Sequence, residues 1–538
     1  MVRTAPFHGE NVSSTLIKDI FIVLIQYNLI INMNTILFKT FIPEIFFSLS
    51  ILTQIIINSH LINNYKINFP IINKEIFSQI FFILISVFLI FFNIKVEYIS
   101  YNFFFSNTLS EYYVKISFLG ICLVILCSIW RSFLLQKLNF YEFFTILMIS
   151  IISSLLLLSS LNLISIYLII ELQALSFYIL SCFNRKSSFS AEAGLKYFIS
   201  GAFISGFFLF GCSLIYGILG TLSLNLISLL LSFAVFNNLN FILLIGILLV
   251  TITFLFKISA APFHFWTPDV YEGSALSSTI SFTILPKIAL FTFLIKWFST
   301  IGSFFLLIKY LLILTGLLSV FIGTFFAIQQ KRVKRIIIYS SIAQIGFLVL
   351  GLSTNSFEGF SSVYFFLFMY LLTSMIIWNF IVMFYVFQKK VNRFNFGILM
   401  PLYLSNLSNF FESNPLWAIL ITFIFYSLAG IPPFVGFFSK LFIIFGLIQI
   451  ESFYSVVMLV LISIVSVFYY IRFIKLLFFE KKSITLNNVK YQTVFYDNFM
   501  ELDIFFVVVS LFLLLWIFFY PNLLLLTTQY ITLSNIVL

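Results

Sequence analysis

Apolar runs fill most of this chain, and they are long. Between breaks rich in charge, Pro or Asn, fourteen stretches approach the roughly 20 apolar residues that a helix needs to cross a bilayer. They lie at about 36–59, 76–94, 114–136, 142–160, 162–183, 194–217, 239–262, 275–298, 303–329, 335–354, 360–387, 416–447, 453–478 and 502–525. The run 20–33 is shorter and holds Gln26 and Asn28, so it is expected to lie at the interface. Residues 1–19 are polar, and Glu10 and Asp19 argue against a targeting segment there. Strands are expected to play no part, because lipid admits only helices or closed barrels. The pattern predicts an all-α polytopic membrane protein of about fourteen transmembrane helices.

Composition agrees. Of 538 residues, 62% are hydrophobic and 9% charged, against roughly 25% charged in soluble domains. Mean hydropathy is +1.14. A soluble enzyme, a disordered tail and a nucleic-acid binder are excluded. The 77 Phe residues exceed what a bilayer demands, since Leu would serve equally; the bias points to an AT-rich genome of the kind organelles carry.

The net charge of +11 is distributed with a period of two spans. After odd-numbered spans come Arg131 and Lys137, then Arg185 and Lys186, then Lys331, Arg332, Lys334 and Arg335. Lys389, Lys390 and Arg393 follow, and last Arg472, Lys475, Lys481, Lys482 and Lys490. The loops after the fourth, sixth, tenth and twelfth spans carry no Lys or Arg, though Glu358 and Glu451 sit there. Basic loops stay on the cytoplasmic-type side of a membrane, so the alternation orients the bundle, with both chain ends away from the basic side. KRVKR at 331–335 reads as an anchor on that side, in contact with lipid headgroups.

Cofactor signals are missing. Cys122, Cys127, Cys182 and Cys212 stand apart in apolar runs and read as small buried hydrophobes. His8, His60 and His264 are too few for a haem or copper subunit, and there is no GxGxxG or P-loop. No metal or nucleotide site is expected in this chain.

Four charges fall near the middle of spans: Glu171, Lys257, Lys287 and Lys440. Each costs about 2.5–3.5 kcal/mol at that depth, so together they rival the whole stability of a typical domain. That cost favours a functional polar pathway over ion pairs kept for packing. Two of the lysines accompany helix breaks, Pro262 after Lys257, and Gly430, Pro432 and Pro433 before Lys440. Proline removes a helix hydrogen bond, and paired broken helices mark inverted-repeat transporters. The breaks lie in the seventh and twelfth spans, five apart, and an odd-numbered repeat must invert. Two inverted five-helix repeats are therefore expected, at 142–298 and 303–478. Around them, 1–35 forms an N-terminal extension, 36–160 holds peripheral helices of which the last joins the first repeat, and 479–538 is a loop and C-terminal helix. Burial disfavours a charged ammonium and a nearby carboxylate favours it, so Glu171 with Lys257 forms a tunable pair suited to moving protons. Glu192 and Lys196 have the spacing of a helical structural ion pair. Glu44 near a membrane edge reads as structural, and Lys296 and Lys309 toward helix ends as snorkelling. His264 either relays a proton or satisfies freed carbonyls.

The stretches FIPEIFF (41–47), IYLIIELQALSFYIL (166–180), KSSFSAEAGLKYFISGAFISGFFLFGCSLIYG (186–217), LFKISAAPFHFWTPDVYEGS (255–274), KRVKRIIIYSSIAQIGFL (331–348) and SLAGIPPFVGFFSK (427–440) resemble the antiporter-like subunits of respiratory complex I. The resemblance runs from about residue 36 to 525. Glu171 followed by Leu-Gln without a preceding Trp, Lys rather than Glu at 440, and no long C-terminal lateral helix are similar to one branch of that family. It implies proton-translocation roles for Glu171, Lys257, Lys287 and Lys440, with the two lysines in broken helices. His264 and Gln344 occupy candidate relay positions, Gln344 standing where the family commonly has His. The resemblance further implies a subunit of a proton-translocating NADH:ubiquinone reductase in the mitochondrial inner membrane, its basic loops in the matrix. FMN, Fe–S clusters and ubiquinone would be bound by other subunits. Partners would be neighbouring antiporter-like and small membrane-arm subunits and phospholipids such as cardiolipin, with no nucleic acid. A stand-alone cation/proton antiporter subunit of related fold, or a purely structural scaffold, are the alternative readings.

The charge alternation makes a direct prediction. Single cysteines placed at Lys331 and Lys482 should react with an impermeant maleimide from one side of the membrane only, the matrix side. Cysteines at Glu358 and Glu451 should react from the other side. Labelling of both sets from the same side would overturn the orientation.

Overall fold

A computed structural model describes residues 41–64, 70–93, 98–99, 104–136, 142–185, 187–233, 239–302, 305–392, 402–408, 410–413, 415–480 and 500–536. The expected extension 1–35 with its run 20–33 and His8 lies outside the described residues, as do Lys137, Lys186, Arg393, Lys481, Lys482 and Lys490.

The chain folds into helices. They are α1 (Ile42–Asn64), α2 (Pro70–Asn93), α3 (Leu109–Gln136), α4 (Glu142–Ser159), α5 (Leu163–Ser181), α6 (Ser188–Leu219) and α7 (Leu224–Phe233). Then come α8 (Leu239–Lys257), α9 (Trp266–Gly273), α10 (Leu276–Ile301), α11 (Phe305–Gln329), α12 (Val333–Leu352) and α13 (Phe357–Asn392). The last are α14 (Phe410–Ser413), α15 (Pro415–Ala429), α16 (Val435–Gln449), α17 (Phe453–Phe478), α18 (Met500–Phe519) and α19 (Pro521–Ile536). Among the described residues, eleven helices are long and apolar enough to cross a membrane, or twelve if the pair α18–α19, bent by 91° at Pro521, counts as one span. The expected count of fourteen is not reached on length, because the seventh and twelfth expected spans are cut into shorter helices. Proline causes both cuts, as its missing N–H predicts.

Strands are not wholly absent, contrary to expectation. Tyr98–Ile99 pairs antiparallel with Ser106–Asn107. This two-residue ribbon belongs to a loop and spans nothing, so the lipid rule stands.

The core is centred on α10, which is enclosed on all sides and packs against α3, α4, α5 and α13. Ser278 and Ser281 satisfy their buried hydroxyls locally, donating to the carbonyls three residues back at 2.8 and 2.7 Å. By contrast α1, α2, α6 and α17 expose rows of Leu, Ile and Phe, as a lipid-facing or partner-facing surface does. The α11–α12 hairpin depends on small residues: a Cβ on Gly323 would lie 2.6 Å from the Ala343 nitrogen, so only glycine lets these backbones approach.

One charge lies elsewhere than the sequence suggests. Lys296 does not snorkel; it is 4% exposed, pairs with Glu111 and donates to the Leu158 carbonyl at 2.6 Å. Nothing in local sequence signals this, since Glu111 is 185 residues away. Ser106 and the Thr108 amide also donate to Glu111, at 2.5 and 3.0 Å. On the same helix Lys115 pairs with Glu44 at 2.6 Å and donates to Asn107 at 2.8 Å. Glu44 thus has the structural setting expected of it, and the two pairs tie α1, α3 and α10 together. Lys309 is half-buried.

Removing one partner of a buried pair strands the other charge, at a cost of about 3–5 kcal/mol. Lys296→Met should therefore lower the melting temperature of the purified protein sharply, and Lys296→Met with Glu111→Gln much less. Equal losses in the single and double variants would contradict the pairing.

Candidate functional site

The polar groups inside the bundle gather where helices are interrupted. In the second break, α15 ends at Ala429 and Gly430 follows with φ +80°, a left-handed conformation that favours glycine. The amides of Gly430 and Ile431 still reach back to Tyr426 and Ser427. The next two amides would have closed onto Leu428 and Ala429, but positions 432 and 433 are both proline. Those two carbonyls instead accept from Lys440, each at 2.8 Å. A helix C-terminus carries partial negative charge, so the ammonium there is favourably placed. Its Nζ also lies 5.3 Å from the Phe347 ring centroid. A Cβ on Gly430 would stand 2.9 Å from the Lys440 side chain, so glycine is needed there for space as well as for backbone.

The first break is built differently. Lys257 is the final residue of α8, itself at the C-terminal end of a half-helix. The chain then turns through Ser259, at φ 66°, and Pro262 into α9. Trp266 Nε1 donates at 3.2 Å to the Phe256 carbonyl, which also accepts from the Ser259 amide at 2.9 Å. His264 is 3% exposed and its Nδ1 has no hydrogen-bond partner, while its carbonyl accepts from Thr267 Oγ1 at 2.7 Å.

Glu171, on α5, faces the same small cavity as Lys257, about 10 Å³ in volume and bordered also by Tyr167, Ser205 and Thr253. Glu171 Oε1 and Lys257 Nζ are both buried without a hydrogen-bond partner. The structure thus brings the expected pair to one cavity without bonding them. A second cavity of about 20 Å³ leads from Lys257 past Gln173 and Tyr271 to Pro286.

Lys287 follows Pro286 on α10, is 2% exposed and donates to the Tyr370 hydroxyl on α13. Pro286 deprives the Phe282 carbonyl of its amide partner, and Tyr271 Oη donates to that carbonyl at 3.3 Å. Gln344 on α12 is buried beside Ser340 and Tyr470; its neighbour one turn on, Phe347, is the ring under Lys440.

Glu192 and Lys196 pair at 2.8 Å as expected, and Lys196 also reaches Asp269 at 2.9 Å. The KRVKR segment makes contacts that its expected role as an anchor does not include. Arg332 meets Glu272 at 2.5 Å, Arg335 meets both Glu272 and Asp269, and Lys334 donates to the Tyr271 and Ser274 carbonyls at 3.2 and 3.1 Å. Arg332 at the N-cap of α12 and Arg335 one turn on thus both reach the carboxylates of α9. Tyr271, Tyr370 and Trp266 are site residues the sequence did not single out; lone aromatics in apolar runs carry no spacing signal.

The family described as NADH:quinone oxidoreductase/Mrp antiporter, TM, matches residues 160–469. Chain 2 of NADH-ubiquinone oxidoreductase from Marchantia polymorpha is 37% identical over 349 residues, which cover 64% of this chain and 68% of that protein. Subunit N of NADH-quinone oxidoreductase from Pelagibacter ubique is 34% identical over 378 residues, covering 70% of this chain and 77% of that protein. In fold, the chain superposes on one chain of respiratory complex I from Thermus thermophilus with a TM-score of 0.71 at 21% identity, covering 90% of this chain and 98% of that one. A chain of the archaeal membrane-bound sulfane sulfur reductase gives 0.73 at 20% identity, covering 94% and 98%. With more than half its length inside the family match, two broken helices and a lysine at each, the chain belongs to the NADH:quinone oxidoreductase/Mrp antiporter family of membrane proteins, with the chain 2 and subunit N proteins among its relatives.

Proposed function

We propose that this chain is a proton-translocating subunit in the membrane arm of a respiratory NADH:ubiquinone oxidoreductase. The observation that carries the reading is the Lys440 site, where an ammonium deep in the bundle is held by the two carbonyls that Pro432 and Pro433 leave free. Such a group has an acceptor cage ready when charged and can release its proton when the cage opens. Glu171 and Lys257, facing one cavity without touching, are the second exchangeable pair. Lys287, between the two breaks in sequence, connects them; His264 and Gln344 are candidate relays.

In this reading the first repeat is 142–298 and the second 303–478, since a short apolar helix followed by a proline break and a half-helix recurs at 239–273 and 415–449. The redox chemistry, with FMN, Fe–S clusters and ubiquinone, belongs to other subunits, and this chain carries no cofactor. Its partners are the neighbouring antiporter-like and small membrane-arm subunits, with phospholipids such as cardiolipin at the surface. The mitochondrial inner membrane is its place, with the basic loops in the matrix, in accord with chain 2 relatives from plants and an animal.

Lys257→Ala tests the reading. In the assembled, reconstituted complex it should lower the protons moved per NADH oxidised several-fold. An unchanged ratio in a fully assembled variant would sink the proposal.

A further inference from the structure

We propose that Tyr271 is the link between Lys257 and Lys287, and that Arg332, Lys334 and Arg335 are positioning residues that hold it in place from α12. The inference rests on the reading of the chain as a proton-translocating subunit.

α9 has eight residues, Trp266–Gly273, too few to be stable alone. Its position is set by what grips it. At one end of the bundle α6, α9 and α12 surround a cavity of about 390 Å³ lined by Glu192, Lys196, Asp269, Glu272, Lys334 and Arg335. Across it, Lys196 from α6 takes Asp269 at 2.9 Å, and Arg332 takes Glu272 at 2.5 Å. Arg335 joins both carboxylates. Lys334 donates to the Tyr271 and Ser274 carbonyls at 3.2 and 3.1 Å. Four cations thus hold one short helix. A headgroup anchor needs none of these contacts.

Between the gripped residues, Tyr271 turns inward and is 4% exposed. Its ring borders the 20 Å³ cavity that Lys257 and Pro286 also line. Its hydroxyl donates to the Phe282 carbonyl at 3.3 Å, the acceptor freed by Pro286 one residue before Lys287. No other side chain on the described residues both lines the Lys257 cavity and bonds the proline-freed carbonyl beside Lys287. A phenol hydroxyl suits the position, because it accepts one proton as it releases its own. The proton comes from the Lys257 ammonium, and the hydroxyl's own passes to a neutral Lys287 amine. One N–H and one O–H bond thus break as one O–H and one N–H bond form, and no charge is left on the ring. Since Lys334 and Arg335 stand on α12 and Arg332 caps it, motion of that helix would shift Tyr271 and open or close the link.

The experiment is the ratio of protons moved to NADH oxidised by the intact complex in proteoliposomes. Tyr271→Phe keeps the ring and removes only the hydroxyl; the ratio should fall at least about threefold. Glu272→Gln should lower it in the same direction, and Glu272→Asp, which keeps the carboxylate, should restore more than half of the loss. If Tyr271→Phe pumps like the parent while Lys257→Ala does not, the link is wrong and the general reading survives. If both pump like the parent, the general reading fails as well. Failure of Glu272→Asp to restore what Glu272→Gln loses would overturn the positioning role of the clamp.

Discussion

An ammonium group inside a bilayer must find acceptors, and the backbone of a helix offers none while its own ladder is complete. Two consecutive prolines remove two rungs of that ladder, and the carbonyls of Leu428 and Ala429 become the cage of Lys440. The rest of the site varies this one constraint. Pro286 frees the Phe282 carbonyl, which Tyr271 takes; at the break around Pro262, Trp266 donates to the Phe256 carbonyl beside Lys257. At Pro286 and at Pro432 and Pro433, proline makes an acceptor and a side chain eleven or twelve residues away occupies it. Destabilising breaks and costly buried charges offset each other, so neither would be expected without the other.

The three lysines differ in what holds them, and the difference has chemical content. Lys440 has two backbone carbonyls, Lys287 a tyrosine hydroxyl, and Lys257 a small cavity shared with a carboxylate that it does not touch. Each setting offers its ammonium a different set of acceptors. A row of such groups with unequal cages can pass a proton in steps, provided a movement re-pairs them. The charged cluster around α9 supplies a rigid body through which such movement can travel, because helices from both halves of the chain grip it.

Much of the fold was legible because lipid makes the signal coarse. Apolar length located the helices, and proline located the two breaks that divide the seventh and twelfth expected spans. Lys257, Lys287 and Lys440 could be read off as charges too deep for chance. What was hidden depends on contacts between distant positions. Lys296 looks like a snorkelling residue until Glu111, far away in sequence, is seen to meet it. The KRVKR segment reads only as an anchor until Asp269 and Glu272 are seen to meet its arginines. Tyr370 and Tyr271 are aromatic residues among many, and only packing gives them partners. The one cage that arithmetic alone can find is that of Lys440, since prolines at 432 and 433 must free the carbonyls four residues before them.

The central claim is that the buried lysines carry protons rather than hold the bundle together, and Lys287 tests it most directly because it stands between the two breaks in sequence. The decisive measurement compares protons moved per NADH oxidised for the parent complex, Lys287→Met and Lys287→Arg, each reconstituted after assembly has been verified. Methionine fills similar space without a titratable group, and arginine keeps a charge that is never released. The account predicts that both variants move several-fold fewer protons per NADH. A Lys287→Arg complex that pumps at the parental ratio would contradict it, because a permanent charge would then serve as well as an exchangeable one.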